Sequence, residues 1–318
     1  MAERRGRFRR ARALMHRAPP VNGGDAALAS GRTLPLRDGA EGMVPVARGV
    51  SLAYRVVGEG PDVVVVPTAG NHADFQRLEG VAGRTIVSYD VRSRGRSDTV
   101  TDATRLGFSV EVTDLEAIRQ SFGIERFSVL GWSYHGGIAA TYAIQHPERV
   151  HRMVLAATIP SHAGVQPAPA REPAPHQLAH LDQLEAAGLR ATDPAAFCRA
   201  WREVYVPLMM SDPAAFERMA PVCEHENEYP WNVARSLVHV FAQLNAYDWR
   251  PHLREVLVPT LIVHGEDDRD PIEEAQEWVA ALPDARLLAL PGVGQFPWVE
   301  APDAFFGAVN RFLAGESI

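Results

Sequence analysis

Lysine is absent from this 318-residue sequence, and all 32 basic residues are arginine. Cysteine is scarce: Cys198 and Cys223 are too few for the disulfide framework of a small secreted domain, so a reducing cytoplasm is the expected compartment. No stretch approaches the ~18 consecutive apolar residues that a membrane-spanning helix needs. These absences disfavour a disulfide-stapled miniprotein and a transmembrane protein, and we expect no membrane partner.

The charges are unevenly distributed along the chain. Residues 1–42 contain nine arginines against four acidic residues, a net charge of +5, whereas the remainder has 23 arginines against 35 acidic residues, a net charge of −12. An acidic main body disfavours nucleic acid as the principal partner. A secretory signal requires an apolar segment after its basic residues, and no such segment follows these arginines. We interpret residues 1–42 as a disordered extension, with a weak arm for an anionic surface or nucleic acid as the alternative.

From Met43 onward, short apolar runs alternate with segments of helical period, which is typical of βαβ units and a mostly parallel sheet. One helical period joins Val112, Leu115 and Ile118, and a helix near the end of the chain has the same spacing. The apolar runs that predict buried strands lie at 63–66, 85–89, 127–130, 152–156, 260–264 and 286–290.

This alternation stops at about residue 160. Five prolines occur from Pro160 to Pro175, and residues 176–250 then have helical patterns only. The sequence Asp-Pro-Ala-Ala-Phe begins at both Asp193 and Asp212, where Asp as N-cap and Pro in the first turn would start two helices; a duplicated functional motif is the alternative. We therefore predict an α/β core of residues 43–159 and 251–318, interrupted by a helical insertion of residues 160–250 placed as a lid.

A serine follows the predicted strand at 127–130, in the sequence Gly-Trp-Ser-Tyr-His-Gly-Gly of residues 131–137. A serine on a sharp strand-to-helix turn adopts a strained backbone and exposes its hydroxyl. The N–H of Tyr134 would then face a developing oxyanion at the helix N-terminus. Ser133 is therefore a candidate nucleophile, with an ordinary N-cap as the alternative, and the adjacent Trp132 is a candidate substrate contact.

Several further motifs follow in order, and with them the chain resembles the α/β-hydrolase superfamily, in particular its proline-iminopeptidase-like branch, over about residues 44–316. The resemblance implies a mostly parallel sheet flanked by helices with a helical lid, and cleavage of an ester, lactone, amide or related carbonyl through an acyl-enzyme. It implies that Ser133 is the nucleophile and that Asp268, three residues after Gly265, orients the catalytic base, in preference to Asp267 or Asp270. The motifs are Asp90-Val91-Arg92-Ser93-Arg94-Gly95-Arg96-Ser97, His146-Pro147-Glu148-Arg149-Val150, Gly265-Glu266-Asp267-Asp268 and Gly-x-Phe-Pro-x-x-Glu at 294–300.

The main departure from the family pattern is Gln295, which stands where the family has its catalytic histidine. Glutamine can hydrogen-bond but cannot accept a proton near neutral pH, so Ser133 would lack its general base. Two interpretations remain open. Either a histidine was replaced to give an inactivated variant of a hydrolase, or the natural protein is a non-hydrolytic lyase, cyclase or ligand-binding module.

Other departures concern the loops beside the nucleophile. The family's second oxyanion donor comes from the loop after the strand at 63–66, where Ala69 is the matching position. His72 in that loop is a candidate substrate contact, with an ordinary solvent-facing histidine as the alternative. His135 occupies the position of a small residue, which favours packing or support of the site over a displaced catalytic role. His264, just before the acid loop, is interpreted as structural.

The predicted lid contains a cluster of carboxylates. In iminopeptidase-like enzymes such groups bind the free amine of the substrate, so Glu224 and Glu226 are candidate substrate contacts; an ordinary acidic surface turn is the alternative. Trp231 would add an apolar wall. We expect a small-molecule substrate, no cofactor and no metal, since His225 and its acidic neighbours are too closely spaced in sequence. The oligomeric state is left open.

Overall fold

An eight-stranded sheet organises the fold, in the order β1-β2-β4-β3-β5-β6-β7-β8. The computed structural model describes residues 33–78, 81, 83–161, 167–245 and 247–318. The strands are β1 (Glu41–Val46), β2 (Val50–Val57), β3 (Asp62–Thr68), β4 (Arg84–Asp90), β5 (Phe127–Trp132), β6 (Val150–Ala156), β7 (Thr260–Gly265) and β8 (Ala285–Leu290).

Strands β4, β3, β5, β6, β7 and β8 pair in parallel, so their carboxyl ends meet at one edge of the sheet. In β3, every residue after Asp62 is buried, as expected for a valine-rich strand covered on both faces. These are the six strands that the apolar runs predicted, and that prediction is confirmed. Strands β1 and β2 were not predicted; both are antiparallel to their neighbours and extend the sheet at one end.

Helices cover the sheet. Val112, Leu115 and Ile118 are buried on α1, as their spacing predicted, and Phe305 and Val309 are buried on α10. The α-helices are α1 (Phe108–Ser121), α2 (Tyr134–Gln145), α3 (Pro175–Ala186), α4 (Leu189–Thr192), α5 (Pro194–Tyr205), α6 (Pro230–Leu244), α7 (Arg250–Leu253), α8 (Ile272–Ala281), α9 (Pro297–Glu300) and α10 (Pro302–Leu313). Short 3-10 helices lie at His72–Leu78, Ala103–Arg105, Pro147–Arg149, Val206–Met209, Pro213–Arg218 and Glu226–Glu228.

A helical insertion separates β6 from β7, and α3 to α6 belong to it. The carboxylate of Asp193 accepts a hydrogen bond from the N–H of Ala196 and caps α5. Asp212 likewise accepts from the N–H of Ala214, but it starts a six-residue 3-10 helix. Both aspartates are therefore N-caps, as predicted. That the insertion acts as a lid stays a prediction.

The amino-terminal boundary differs from the predicted one. Residues 1–32 of the predicted extension lie outside the described residues, whereas the backbone N–H of Leu34 bonds to the carbonyl of Ser121 at 2.8 Å. Leu34 and Leu36 pack against the core, and β1 begins at Glu41. The core therefore begins before Met43, and residues 33–42 are part of it.

Cys198 and Cys223 form a disulfide, with their Cα atoms 5.9 Å apart. The sequence left this pairing open. Because the cytoplasmic assignment rested on the small number of cysteines, the pairing removes its main support, and the compartment stays a prediction. Within the described ranges, no helix combines the length and the apolar character needed to cross a membrane.

Candidate active site

Ser133 occupies the turn between β5 and α2. Its backbone has φ 51° and ψ −131°, a strained conformation for a residue with a side chain. The turn is tight enough that a β-carbon at residue 131 would lie 2.4 Å from the carbonyl oxygen of His135, so glycine is required there. The strained strand-to-helix turn predicted from the sequence is therefore present at Ser133, and the role of Ser133 as a nucleophile stays a prediction.

Neighbouring strands hold this turn in place. The N–H of Ser133 donates to the carbonyl oxygen of Ala156 at the end of β6, at 2.9 Å. The carbonyl oxygen of Ser133 accepts from the hydroxyl of Thr158 and, at 2.9 Å, from the N–H of Gly136. Since these bonds fix the peptide units on both sides of Ser133, the strained conformation is maintained by β6, by the residue Thr158 that follows it and by the first turn of α2.

Asp268 and Gln295 face each other beyond the carboxyl ends of β7 and β8. With the Gln295 amide oriented to match its surroundings, its NH₂ group donates to Oδ1 of Asp268 at 2.9 Å and to Oδ2 at 3.2 Å. Burial raises the pKa of Asp268 to about 7, against the opposing hydrogen bonds from the N–H groups of Asp270 and Arg269. The structure thus pairs Gln295 with Asp268, as the sequence positions anticipated.

The other two acidic residues of that loop have different partners. Asp267 accepts a hydrogen bond from the hydroxyl of Ser211 in the helical insertion. The carbonyl oxygen of Asp270 lies 2.8 Å from Nε2 of His264, which is fully buried, in keeping with its predicted structural role. Of the three, Asp268 is the one paired with Gln295.

The loop that carries Gln295 is held by its neighbours. The carboxylate of Glu300 accepts from the N–H groups of Gly294 at 3.1 Å and Phe296 at 3.2 Å. The N–H of Gln295 donates to the carbonyl oxygen of Met209 in the insertion at 3.0 Å. Its own carbonyl oxygen accepts from the indole N–H of Trp132 at 3.0 Å. Trp132, a predicted substrate contact, therefore supports this loop.

The two candidate oxyanion donors differ in their surroundings. Tyr134 is the first residue of α2, so its N–H belongs to the helix N-terminus directly after Ser133. The N–H of Ala69 already donates to Oδ1 of Asn71 at 3.1 Å. An oxyanion at this site would have to displace the Asn71 side chain from Ala69.

Among the described residues, no hydrogen bond or ring contact joins the remaining predicted substrate contacts to Ser133. His72 begins a 3-10 helix and lines a small cavity with Arg96 and residues of β1, β2 and β4. Trp231 packs against Tyr229 and Phe197 within the insertion, and the guanidinium of Arg190 lies 4.5 Å from its ring centre.

Among the carboxylates of the predicted lid turn, Glu228 differs from Glu224 and Glu226 because its side chain is buried. Glu224 and Glu226 are exposed, and Glu226 accepts a hydrogen bond from the hydroxyl of Thr99 at 3.0 Å. Glu228 is buried, and its Oε2 accepts from the N–H groups of Cys223 at 2.7 Å and Glu224 at 2.8 Å. Nothing in the local sequence distinguishes Glu228 from its acidic neighbours.

A second polar cluster includes the two residues that directly follow Ser133, and it was not anticipated from the sequence. It contains Arg94, Glu111, Tyr134 and His135, each with a buried polar atom that has no hydrogen-bond partner among the described residues. Burial raises the pKa of Glu111 to about 8 and lowers the pKa of His135 to about 3. His135 is thus a neutral buried side chain, in keeping with the predicted supporting role.

In the described part of the chain, no cluster of three or more histidine, cysteine or carboxylate side chains is arranged to hold a metal ion. The arrangement of Ser133, Asp268 and Gln295 can support acyl transfer at the serine or proton transfer at the buried Asp268 carboxyl.

Comparison with known proteins places this geometry in a family. Residues 63–308 match the model of the alpha/beta hydrolase family. The chain therefore belongs to that family. It is 25% identical over 300 residues to a proline iminopeptidase of Lactobacillus helveticus, covering 86% of this chain and 97% of the relative.

Two further similarities bear on function. A putative 2-succinyl-6-hydroxy-2,4-cyclohexadiene-1-carboxylate synthase of Bacillus subtilis is 26% identical over 282 residues, covering 86% of this chain and 98% of the relative. The crystal structure of a hydrolase from Pseudomonas aeruginosa PA01 superposes with a TM-score of 0.63 at 26% identity, covering 88% of this chain and 100% of that one. The family match and the iminopeptidase relative support a hydrolase function at the level of the family, whereas the Bacillus subtilis relative is named as a synthase.

Proposed function

We propose that this protein is a serine hydrolase of the α/β-hydrolase fold that acts on a small molecule with an ester, lactone, amide or related carbonyl group. The observation that carries the proposal is the strained backbone of Ser133, at φ 51° and ψ −131°, between β5 and α2. A strand-to-helix turn of this kind presents a serine hydroxyl for attack on a carbonyl carbon.

In the proposed reaction, Oγ of Ser133 attacks the carbonyl carbon and the resulting oxyanion is bound by the N–H groups of Tyr134 and Ala69. Formation of the acyl-enzyme expels the leaving group, and water then releases the acid. A base must accept the Ser133 proton. The Gln295 amide, whose nitrogen faces Asp268, cannot do so, and this chain is therefore an impaired hydrolase.

The test is the variant Gln295→His. A histidine at this position would donate to Asp268 and accept the Ser133 proton, so we expect turnover of a panel of small esters and aminoacyl amides to rise by at least about 10³-fold. Steady-state hydrolysis and labelling by a serine-reactive phosphonate are the measurements.

Gln295→Asn is the matched control, because it also changes the side chain but supplies no base; it should give no gain. Ser133→Ala in the Gln295→His background should abolish both turnover and labelling. A folded Gln295→His protein that gains no activity on any substrate and does not react with the phosphonate would contradict the proposal.

A second candidate function is a non-hydrolytic reaction such as a lyase or cyclase step. It is favoured by the pKa of Asp268, which burial raises to about 7, and by the relative named as a synthase. A carboxyl with this pKa can accept a proton from substrate near neutral pH, with the Gln295 amide holding it in place.

The two functions predict opposite responses. If Asp268 acts directly on a substrate proton, Asp268→Asn abolishes the reaction whereas Ser133→Ala preserves it. If Ser133 is the nucleophile, Ser133→Ala abolishes the reaction. Substrate depletion followed by mass spectrometry, with each variant checked for folding by circular dichroism, distinguishes them.

A further inference from the structure

The helical insertion contacts the segment of residues 69–74 at two points. At one end, Oε1 of Glu228 packs directly against the backbone of Gly70, where an added β-carbon would lie 2.6 Å from the oxygen. At the other end, the N–H of Ala220 donates to Oδ1 of Asp74 at 2.7 Å. Both contacts come from residues 220–228, which we call the strut loop.

The strut loop is itself held in place. The disulfide joins Cys223 in this loop to the buried Cys198 on α5. Oε2 of Glu228 accepts from the backbone N–H groups of three consecutive residues, Cys223 to His225, at 2.7, 2.8 and 3.2 Å. One carboxylate therefore closes the loop with one oxygen and packs against Gly70 with the other.

The other side of segment 69–74 is fixed by the core. Oδ1 of Asp90, at the end of β4, accepts from the N–H of Gly70 at 2.7 Å and from the hydroxyl of Thr68 at 2.8 Å. Gly70 thus lies between the Asp90 carboxylate of the core and the Glu228 carboxylate of the insertion. Its φ of 88° is a conformation that favours glycine.

We propose that Glu228 is a positioning residue that sets the backbone of Ala69 and Gly70 through the strut loop, and that the Cys198–Cys223 disulfide makes this positioning sensitive to reduction. The proposal rests on the proposed function in one respect, the role of Ala69 as an oxyanion donor. Glu228 acts here through the backbone of segment 69–74.

Reduction would act by thiol–disulfide exchange. A dithiol reagent such as dithiothreitol supplies two thiols and is oxidised to its cyclic disulfide, while the Cys198–Cys223 bond is reduced to two thiols. Cys223 would then no longer be tied to α5. The three N–H groups that Glu228 accepts from would lose their fixed position, and the contact with Gly70 would loosen.

The experiment is hydrogen exchange of the backbone amides of residues 69–74 in the full chain, followed by mass spectrometry. We expect exchange to become roughly tenfold faster after reduction and in the variant Glu228→Ala, because the segment then opens locally more often. Glu228→Gln should lie between the native chain and Glu228→Ala, because an amide oxygen accepts more weakly than a carboxylate.

Glu224→Gln is the matched control, since this exposed carboxylate lies in the same loop, and it should leave the exchange unchanged. Unchanged exchange at 69–74 in both the reduced chain and Glu228→Ala, each shown to be folded by circular dichroism, would overturn the proposal. If Glu228→Ala unfolds, the reduced native chain alone decides.

A second measurement connects the strut loop to catalysis. In the Gln295→His background, Glu228→Gln should lower kcat by roughly tenfold with little change in KM, because an oxyanion donor acts mainly in the transition state. A rise in KM alone would overturn the positioning role. If the background variant has no activity, the proposed function fails while the exchange result still decides the proposal for the strut loop.

Discussion

Asp268 and Glu111 are both buried carboxyl groups in contact with the candidate site, but their surroundings differ. Asp268 lies in a loop and accepts hydrogen bonds from the Gln295 amide and from backbone N–H groups. Glu111 lies on α1, and its Oε2 has no hydrogen-bond partner within the described ranges. The N–H groups inside a helix are already used by the helix, so α1 offers Glu111 no donor.

The comparison shows how one fold accommodates two buried carboxyls in different ways. Loops at the carboxyl ends of the strands provide free N–H donors, so the Asp268 carboxyl can change protonation state near neutral pH at moderate cost. Glu111 depends on the charge of Arg94, which lowers its pKa, against burial, which raises it to about 8. We therefore expect Asp268 to govern activity and Glu111 to govern stability.

The largest expected effect is on turnover. In the Gln295→His background, Asp268→Asn should lower kcat by about 10⁴-fold, because the amide would no longer hold the histidine in the right tautomer. Glu111→Gln in the same background should leave kcat unchanged. Steady-state ester hydrolysis measures both. Equal losses in the two variants would contradict the separation of roles.

The next effect concerns stability and pH. Burial raises the pKa of Glu111 to about 8 and that of Asp268 to about 7, above their ordinary values of 4.5 and 3.8. The folded chain therefore keeps these protons after the unfolded chain has released them. The free energy of unfolding then falls as pH rises. The Asp268 contribution is lost as pH rises up to and through its folded pKa of about 7, and the Glu111 contribution as pH rises up to and through about 8.

Glu111→Gln should remove the Glu111 contribution, which reaches up to about 1.4 kcal/mol per pH unit. Urea unfolding at pH 7 and pH 8 measures it, because in this interval Glu111 goes from mostly protonated to half ionised, whereas Asp268, already half ionised at pH 7, contributes the smaller share of the slope. Asp268→Asn is the control, and it should reduce the slope below pH 7 instead. An unchanged slope between pH 7 and 8 in Glu111→Gln would show that Glu111 is already ionised in the folded chain.

The smallest effect tests the Arg94 side of the cluster. Arg94 is 2% exposed, and one of its nitrogens donates to the hydroxyl of Ser236 on α6. Ser236→Ala removes this acceptor from a buried cation and should lower the free energy of unfolding by about 1 kcal/mol, measured by urea unfolding, because the same nitrogen keeps the Ser93 carbonyl oxygen as an acceptor.

Ser121→Ala is the matched control, since the Ser121 hydroxyl is buried without a hydrogen-bond partner among the described residues. Its removal should be neutral or slightly stabilising, because no hydrogen bond is lost. If Ser236→Ala were equally neutral, Arg94 would not depend on α6, and the second polar cluster would be less constrained than the structure indicates.

Much of the fold was predictable because its signals are local. Continuous apolar runs gave the six parallel strands, the spacing of Val112, Leu115 and Ile118 gave α1, and Asp193 gave the start of α5. The antiparallel strands β1 and β2, at one end of the sheet, were missed. Neither strand has a continuous buried run like those of the parallel strands. In β1, for example, only Val44 and Val46 are buried, and the strand is defined by its pairing with β2.

The candidate site was predictable in part for the same reason. Ser133 was predicted from a strand, a turn and a helix that are adjacent in sequence, whereas Asp268 was predicted from the resemblance to the hydrolase family, by its distance from Gly265. The choice of Glu228 over Glu224 and Glu226 was not predictable, because burial of one among three similar carboxylates depends on the distant Gly70.

The sequence by itself determined the α/β core, the strand-to-helix turn at Ser133 and the presence of glutamine at residue 295. Only the tertiary structure decided the Cys198–Cys223 pairing, the hydrogen bond between Asn71 and Ala69, and the buried cluster around Glu111. Turns, caps and strand runs are encoded by residues next to each other. Burial and hydrogen-bond satisfaction depend on which distant segments pack together, and the folded chain alone brings those segments into contact.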